Sequence, residues 1–322
     1  MSGIAILCSG QGKQSAAMFD LVASEPTAAP VFALAAAALG GRDPRDLAHQ
    51  GGDIIHRNDV AQVLCCAAAL AVWAAVGSSA SRPITVAGYS AGEVPAWAVA
   101  GVVDASSAFN LVTRRAALMD EATREPSGLA AIIGLPRDVV DGICRAHGLD
   151  VAIVNGPLHL IVGGRAAGLR PALADATARG ATRATVLPIH VASHTPALKA
   201  VSERLGRLVS ETVTNARLPS DVRLVSGIDG VPVRSVVDGL VKLAAQVSTT
   251  IDWTACLDAC RSSRPARVLE LGPGNALSRM MTEFEPGIPA RSAADFRSVA
   301  GLRRWMESGV LNIQHRCGTN RS

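Results

Sequence analysis

Two five-residue apolar runs, IAILC at 4–8 and ITVAG at 84–88, each stop at a glycine-bearing turn that leads into further structure. Runs so short, apolar on both alternating faces, read as strands buried on both sides, and such strands belong to parallel sheets covered by helices. VRLVS at 222–226 and RVLEL at 267–271, mostly apolar, also read as strands. Helix-length stretches stand between these runs, around 27–39, 59–76, 105–122, 196–213 and 235–247 and again from Trp253. Asn58 or Asp59 is placed to cap the second and Asp104 the third, and Gly101 is placed to stop the helix before it. Strands alternating with helices predict an α/β fold with a mostly parallel sheet. Aromatic residues are only 3% of the chain, so Ala, Val and Leu must fill the interior, which suits helices lying close on a sheet.

From about residue 128 the texture changes to short pieces: strand LAAIIG, helix PRDVVDGICRAHG, strands VAIVN and HLIVGG, helix RAAGLRPALADATARG, strand TRATVLP. The order βαββαβ is the ferredoxin-like pattern, and it closes near residue 190. The expected organisation is therefore a core of 1–126 and 191–322 with a small ferredoxin-like subdomain at 127–190 inserted in it. The tail from Asn312 is expected to fray.

Composition removes several function classes. With 49% hydrophobic and 18% charged residues the chain folds rather than staying disordered. The net charge of +4 is small, and the arginines are scattered and rarely interleaved with aromatics, so no nucleic-acid partner is expected. The first residues lack the basic and long apolar regions of a signal peptide. The apolar run VLCCAAALAVWAAV at 63–76 is shorter than the roughly 20 residues of a membrane span, so it reads as a buried helix and no membrane is expected. Seven cysteines without zinc-site spacing predict reduced, buried thiols in a cytoplasm and no metal.

GYSAGE at 88–93 follows the strand ITVAG and precedes helical sequence, the context of a nucleophile on a sharp strand-to-helix turn. There Ser90 points away from the sheet, Gly88 and Gly92 relieve crowding, and the Ala91 N–H can stabilise an oxyanion. A serine nucleophile needs a base. Of the seven histidines, His49, His56, His147, His159 and His315 lie in polar, helix-end, strand-start or tail positions. His190 and His194, in LPIHVASHTPALK, remain, and His194 is favoured because the loop before a helix sets it at the rim of a sheet. No Asp stands where an α/β-hydrolase triad would have it, so a Ser–His dyad is expected. Arg115 falls inside the apolar stripe of Ala108, Leu111, Val112, Leu118 and Met119, whereas Arg114 belongs to the polar side. An inward guanidinium needs an anion: either an acid of the chain itself or the carboxylate of a substrate. SGQGKQ at 9–14 lacks full phosphate-loop spacing, and could instead bring the Gln11 N–H beside Ser90 as a second oxyanion donor.

Taken together, SGQGKQ, GYSAGE, an arginine 25 residues after the serine, VNGP, VASHTP and LELGPGNAL resemble the malonyl-CoA:acyl-carrier-protein transacylases, from about residue 4 to about 285. The resemblance implies an α/β-hydrolase-like core and ping-pong transfer of a malonyl group from malonyl-CoA through Ser90 to a carrier thiol, with no bound cofactor. By the same match His194 is the general base and acid, Arg115 the clamp on the malonyl carboxylate, and the Gln11 and Ala91 amides the oxyanion hole. Gln246 falls where a main-chain carbonyl orients the histidine, and Asn155 and Gln62 line the site. The implied partners are coenzyme A esters and an acyl carrier protein with a phosphopantetheine-type arm. One departure is Tyr89, where the family commonly has His before the nucleophile. Within the family, AILCSGQG, SHTP and DFRSVAGLRRWMESG are similar to the epsilon subunit of biotin-independent malonate decarboxylase, which implies other decarboxylase subunits as partners. The alternatives are a malonyl transacylase of fatty-acid synthesis, a serine thioesterase or hydrolase, and a non-catalytic docking subunit.

Overall fold

The computed structural model describes residues 3–212 and 217–317. Among them the strands are β1 (Ile4–Cys8), β2 (Ile84–Gly88), β3 (Ser127–Ile133), β4 (Leu149–Gly156), β5 (His159–Arg165), β6 (Arg183–Val186), β7 (Val222–Val225), β8 (Ile251–Asp252), β9 (Arg267–Leu271) and β10 (Ala290–Ser292). The first six α-helices are α1 (Ala29–Ala38), α2 (Pro44–Gln50), α3 (Asn58–Val76), α4 (Glu93–Val99), α5 (Ala105–Ala122) and α6 (Arg137–His147). They are followed by α7 (Ala166–Ala178), α8 (Lys199–Thr212), α9 (Val236–Ala245), α10 (Trp253–Ser262), α11 (Ala276–Phe284) and α12 (Val299–Cys317).

The larger sheet runs β10-β9-β1-β2-β7, and every neighbouring pair in it is parallel. All residues of β1 and β2 are buried, as their unbroken apolar sequence demands. Alternate residues of β1 serve different cores: Ile4, Ile6 and Cys8 face the helices α1, α3, α4 and α5, whereas Ala5 and Leu7 face the side where α10, α11 and the second sheet pack. α3 is long and apolar enough, by composition alone, to cross a bilayer, but it is buried here against α1, α4, α5 and α12. The protein is thus an α/β fold, an α/β-hydrolase-like core with a parallel sheet and a ferredoxin-like βαββαβ unit.

That unit forms the second sheet, ordered β6-β3-β5-β4-β8. Leu160 and Val162 on one face of β5 pack with α6 and α7, and Ile161 on the other face joins Leu129, Ala131 and Ile153 in the core shared with the larger sheet. Its fifth strand, β8, comes from far along the chain and pairs parallel with β4 through Ile153 and Val154.

Three local expectations change. The cap of α3 is Arg57, in extended conformation without a side-chain capping bond, because the Asn58 side chain is committed to the site described below. β8 and β10, of two and three residues, have no apolar run to announce them. The tail stays helical to Cys317, and residues 318–322 lie outside those described. Asp104 does cap α5, accepting from the Ser107 N–H at 2.7 Å, and Gly101 takes the left-handed φ of +78° that stops the helix before it.

Candidate active site

Ser90 opens a short 3-10 turn, Ser90–Gly92, between the carboxyl end of β2 and α4. Its φ is +56°, a strained value for a residue with a side chain, of the kind that persists where surrounding contacts enforce it. Those contacts explain the flanking glycines. A Cβ on Gly92 would collide with the Cys8 carbonyl, and one on Gly88 with the backbone of Glu93. The loop after β1 presses on the same turn, since a Cβ on Gly10 would stand 3.3 Å from that of Ser90. Ser9 anchors the loop by donating at 2.6 Å to Glu270, buried in β9. Gln11 therefore lies beside the elbow, and Ala91 sits in the first turn, where a backbone N–H has no carbonyl one turn back to bond.

His194 Nε2 is 2.7 Å from Ser90 Oγ, and His194 Nδ1 is 2.7 Å from the main-chain carbonyl of Gln246. A carbonyl only accepts, so Nδ1 carries the proton and the Nε2 lone pair is left for the serine hydroxyl. The ring is held by its own backbone, with φ of +63° and its N–H donating to the Val247 carbonyl at 2.8 Å. The sequence places this imidazole at a rim; the structure buries it completely, because the 246–248 turn and the elbow close over it. Burial, and then the positive charge of Arg115, push its pKa down from 6.5 to about 3, so the ring is neutral and able to accept a proton near pH 7. His190 is exposed, His49 is exposed on α2, and His147 pairs with Asp175 at 3.4 Å. The His315 side chain lies outside the described residues.

Arg115 is 1% exposed, in the apolar stripe where periodicity put it, and Arg114 is exposed. Its partners are neutral: Nη1 donates to Gln62 Oε1 at 2.6 Å, and Nη2 to Gln246 Oε1 at 3.2 Å. Nε is buried with no partner among the described residues. Burial lowers its pKa to about 10, opposed by the charge of Glu93, so the guanidinium remains cationic at neutral pH. Carboxylates stand one or two amides away. The Gln246 amide N–H donates to Glu93 and, at 3.1 Å, to the Ser90 carbonyl. Gln62 Nε2 donates to Asn58 Oδ1 at 2.7 Å, and Asn58 in turn donates at 2.9 Å to Asp120. Gln11 Nε2 reaches the same Asn58 oxygen at 3.3 Å.

Ser90, His194, Arg115, Gln246, Gln62, Gln11 and Ala91 thus come together in the structure. Asn155, on β4, stands beside Tyr89, the neighbour of the serine, bonding His159 at 3.3 Å and leaving its Oδ1 buried without a described partner. Tyr89 packs edge-on against Trp253, ring centroids 5.1 Å apart, and so joins the elbow to α10. Two residues were missed. Asn58 reads as a helix cap, and Glu93, beyond its place in GYSAGE, is given no part by the sequence. The signal for Glu93 is that the helix it opens, EVPAWAV, has no other charge and is buried. Among the described residues no cluster of three or more His, Cys, Asp or Glu could hold a metal ion.

Chemically, the arrangement can activate a serine hydroxyl through a neutral imidazole and offer a desolvated cation to an anionic group nearby. Comparison with known proteins gives this geometry a lineage. The family model described as "Acyl transferase domain" matches residues 6–232. The malonyl CoA-acyl carrier protein transacylase of Escherichia coli K12 is 32% identical over 291 residues, covering 86% of this chain and 91% of the relative. That of Mycobacterium tuberculosis H37Rv is 30% identical over 312 residues, covering 93% and 100%. Among solved structures, an acyl-carrier-protein S-malonyltransferase from Burkholderia pseudomallei superposes with a TM-score of 0.84 at 27% identity, over 94% of this chain and 99% of that one. A malonyl-transacylase solved in complex with a type II polyketide acyl-carrier protein gives 0.84 at 25%, over 95% and 100%. On these likenesses the chain belongs to the acyl transferase family, among the malonyl CoA-acyl carrier protein transacylases.

Proposed function

We propose that this protein transfers a malonyl group from malonyl-CoA to the thiol of an acyl carrier protein. The observation that carries the reading is a buried Arg115 whose guanidinium meets only amide oxygens, one side chain away from a serine paired with a neutral histidine. Ser90 Oγ attacks the thioester carbonyl as its proton passes to His194 Nε2, and the Gln11 and Ala91 N–H groups stabilise the oxyanion. Collapse of the tetrahedral intermediate expels the coenzyme A thiolate, which takes the proton from His194 and leaves malonyl-Ser90. The carrier thiol then gives its proton to His194 and attacks the ester; Ser90 recovers the proton as it leaves. Throughout, the malonyl carboxylate pairs with Arg115, and the Gln246 carbonyl keeps the Nδ1 proton in place. The second sheet, through Asn155 and Tyr89, walls the cleft so that water does not take the ester first.

The relatives favour a carrier of fatty-acid synthesis over the malonate decarboxylase carrier that AILCSGQG, SHTP and DFRSVAGLRRWMESG suggest. The 127–190 unit is taken as an inserted subdomain. A cytoplasmic location fits the six described cysteines, all free and buried. Intact mass after mixing with malonyl-CoA tests the reading: one malonyl group should add to the wild-type protein, none to Ser90→Ala, and carrier protein should remove it. A Ser90→Ala protein that still loads the carrier sinks the proposal. Offering a phosphopantetheine carrier against one with a phosphoribosyl-dephospho-CoA arm separates the two pathways.

A further inference from the structure

The first residue of α4 is an acid 1% exposed to solvent, three positions after the elbow serine, and the transfer mechanism gives it no part. A buried carboxylate must spend its lone pairs on donors. One oxygen of Glu93 accepts from the Gly227 N–H at 3.0 Å, and the other accepts from the Gln246 side-chain amide. Above the pKa of about 7 to which burial raises it, Glu93 is ionised and cannot donate, so it accepts only the NH2 end of that amide, and the test below is run at pH 8. This leaves Gln246 Oε1 facing Arg115 Nη2, and puts Nε2 within 3.1 Å of the Ser90 carbonyl. The two ends of an amide have nearly the same shape. It is the carboxylate that separates them, because a flipped Gln246 would set oxygen against oxygen at Glu93 and N–H against N–H at Arg115.

We propose that Glu93 is a positioning residue for acyl-group selectivity: through the Gln246 amide it holds the Arg115 guanidinium in register with Ser90. The intervening amide matters as much as the acid. A carboxylate in direct contact with Arg115 would occupy the fork that a substrate carboxylate needs, whereas Glu93 balances the buried charge at one remove. His194 is served separately, by the main-chain carbonyl of the same Gln246, so turning the side chain leaves the base in place. This assignment rests on the transfer reading above.

The test is Glu93→Gln, which keeps the shape and neutralises the acid. With its oxygen on the Gly227 N–H, the substituted side chain presents NH2 to Gln246 and turns that amide over. Rates of Ser90 acylation from malonyl-CoA and from acetyl-CoA are read by intact mass over a concentration series. The expected result is a KM for malonyl-CoA raised about tenfold or more, the scale of a lost hydrogen bond to a charged group, with acetyl acylation changed less than about threefold. Parallel losses for both thioesters, or no change in either, overturn the assignment. Gln246→Leu removes the amide and keeps the main-chain carbonyl, so it should give the same split by taking away the Arg115 contact itself; where Glu93→Gln does not fold, Glu93→Asp, which keeps the acid but draws it back from the Gln246 amide, should raise the KM for malonyl-CoA more than that for acetyl-CoA, and equal effects on the two overturn the assignment. The double variant should lose no more selectivity than the worse single one, and additive losses would mean that Glu93 acts by another route. A wild-type protein that forms no malonyl adduct refutes the transfer reading, whereas a wild type that does so beside variants of unaltered selectivity refutes only the part given to Glu93.

Discussion

Replacing His194 with Gln should change how the protein responds to acid more than how it responds to anything else. In the folded protein the imidazole is fully buried beside a cationic guanidinium, which brings its pKa from 6.5 to about 3. In the unfolded chain it returns to its ordinary value. Below pH 6.5 the unfolded state therefore binds a proton that the folded state refuses, so stability contributed by this residue is present above pH 6.5 and drains away as pH falls toward 3. At pH 4.5, two units below the unfolded value, the loss is about 2–3 kcal/mol, each tenfold in proton affinity being worth about 1.4. His194→Gln lacks the titrating group. Urea unfolding of both proteins at pH 7.5 and 4.5 should show the wild type giving up about 2–3 kcal/mol more than the variant over that interval. Glu93, whose pKa burial raises to about 7, acts with the opposite sign but is common to both proteins and cancels in the difference. Equal losses in the two proteins would mean that the imidazole is charged or solvated in the folded state, and the neutral-base mechanism would fall with it.

Arg115→Ala should reduce acylation by malonyl-CoA about 10²-fold relative to acetyl-CoA, since a dicarboxylic half-ester loses its counter-ion and an acetyl group never had one. Equal damage to both would make the guanidinium a structural group only. Gly92→Ala drives a methyl into the Cys8 carbonyl; thermal unfolding should report about 2 kcal/mol or more of lost stability, and Ser90 acylation should fall with it. An alanine variant with wild-type melting and wild-type acylation would show that the elbow is less crowded than its packing implies.

What could be read from the sequence follows how locally each feature is determined. β1 and β2 are legible because burial on both faces leaves an unbroken apolar run. β8 is not, because Ile251 and Asp252 form a strand only where β4 offers an edge. Ser90 is legible through its glycines, which the crowding at the turn requires. Arg115 is legible because helical period alone sends it inward. His194 and His190 stand four residues apart in one loop, and the choice between them depends on where the 246–248 turn passes, which no local pattern records. Asn58 and Glu93 look like helix-start residues, and their side chains turn instead to partners 62 and 153 residues away.

The short strand β8 ties together things that the chain keeps apart. It follows the turn of Gln246 by only a few residues, and it is hydrogen-bonded into the edge of the second sheet. The second sheet and the carbonyl that orients the His194 ring are thus joined through a few residues of chain. A shift of that sheet would carry β8 with it and so reach the His194 ring through the Gln246 carbonyl.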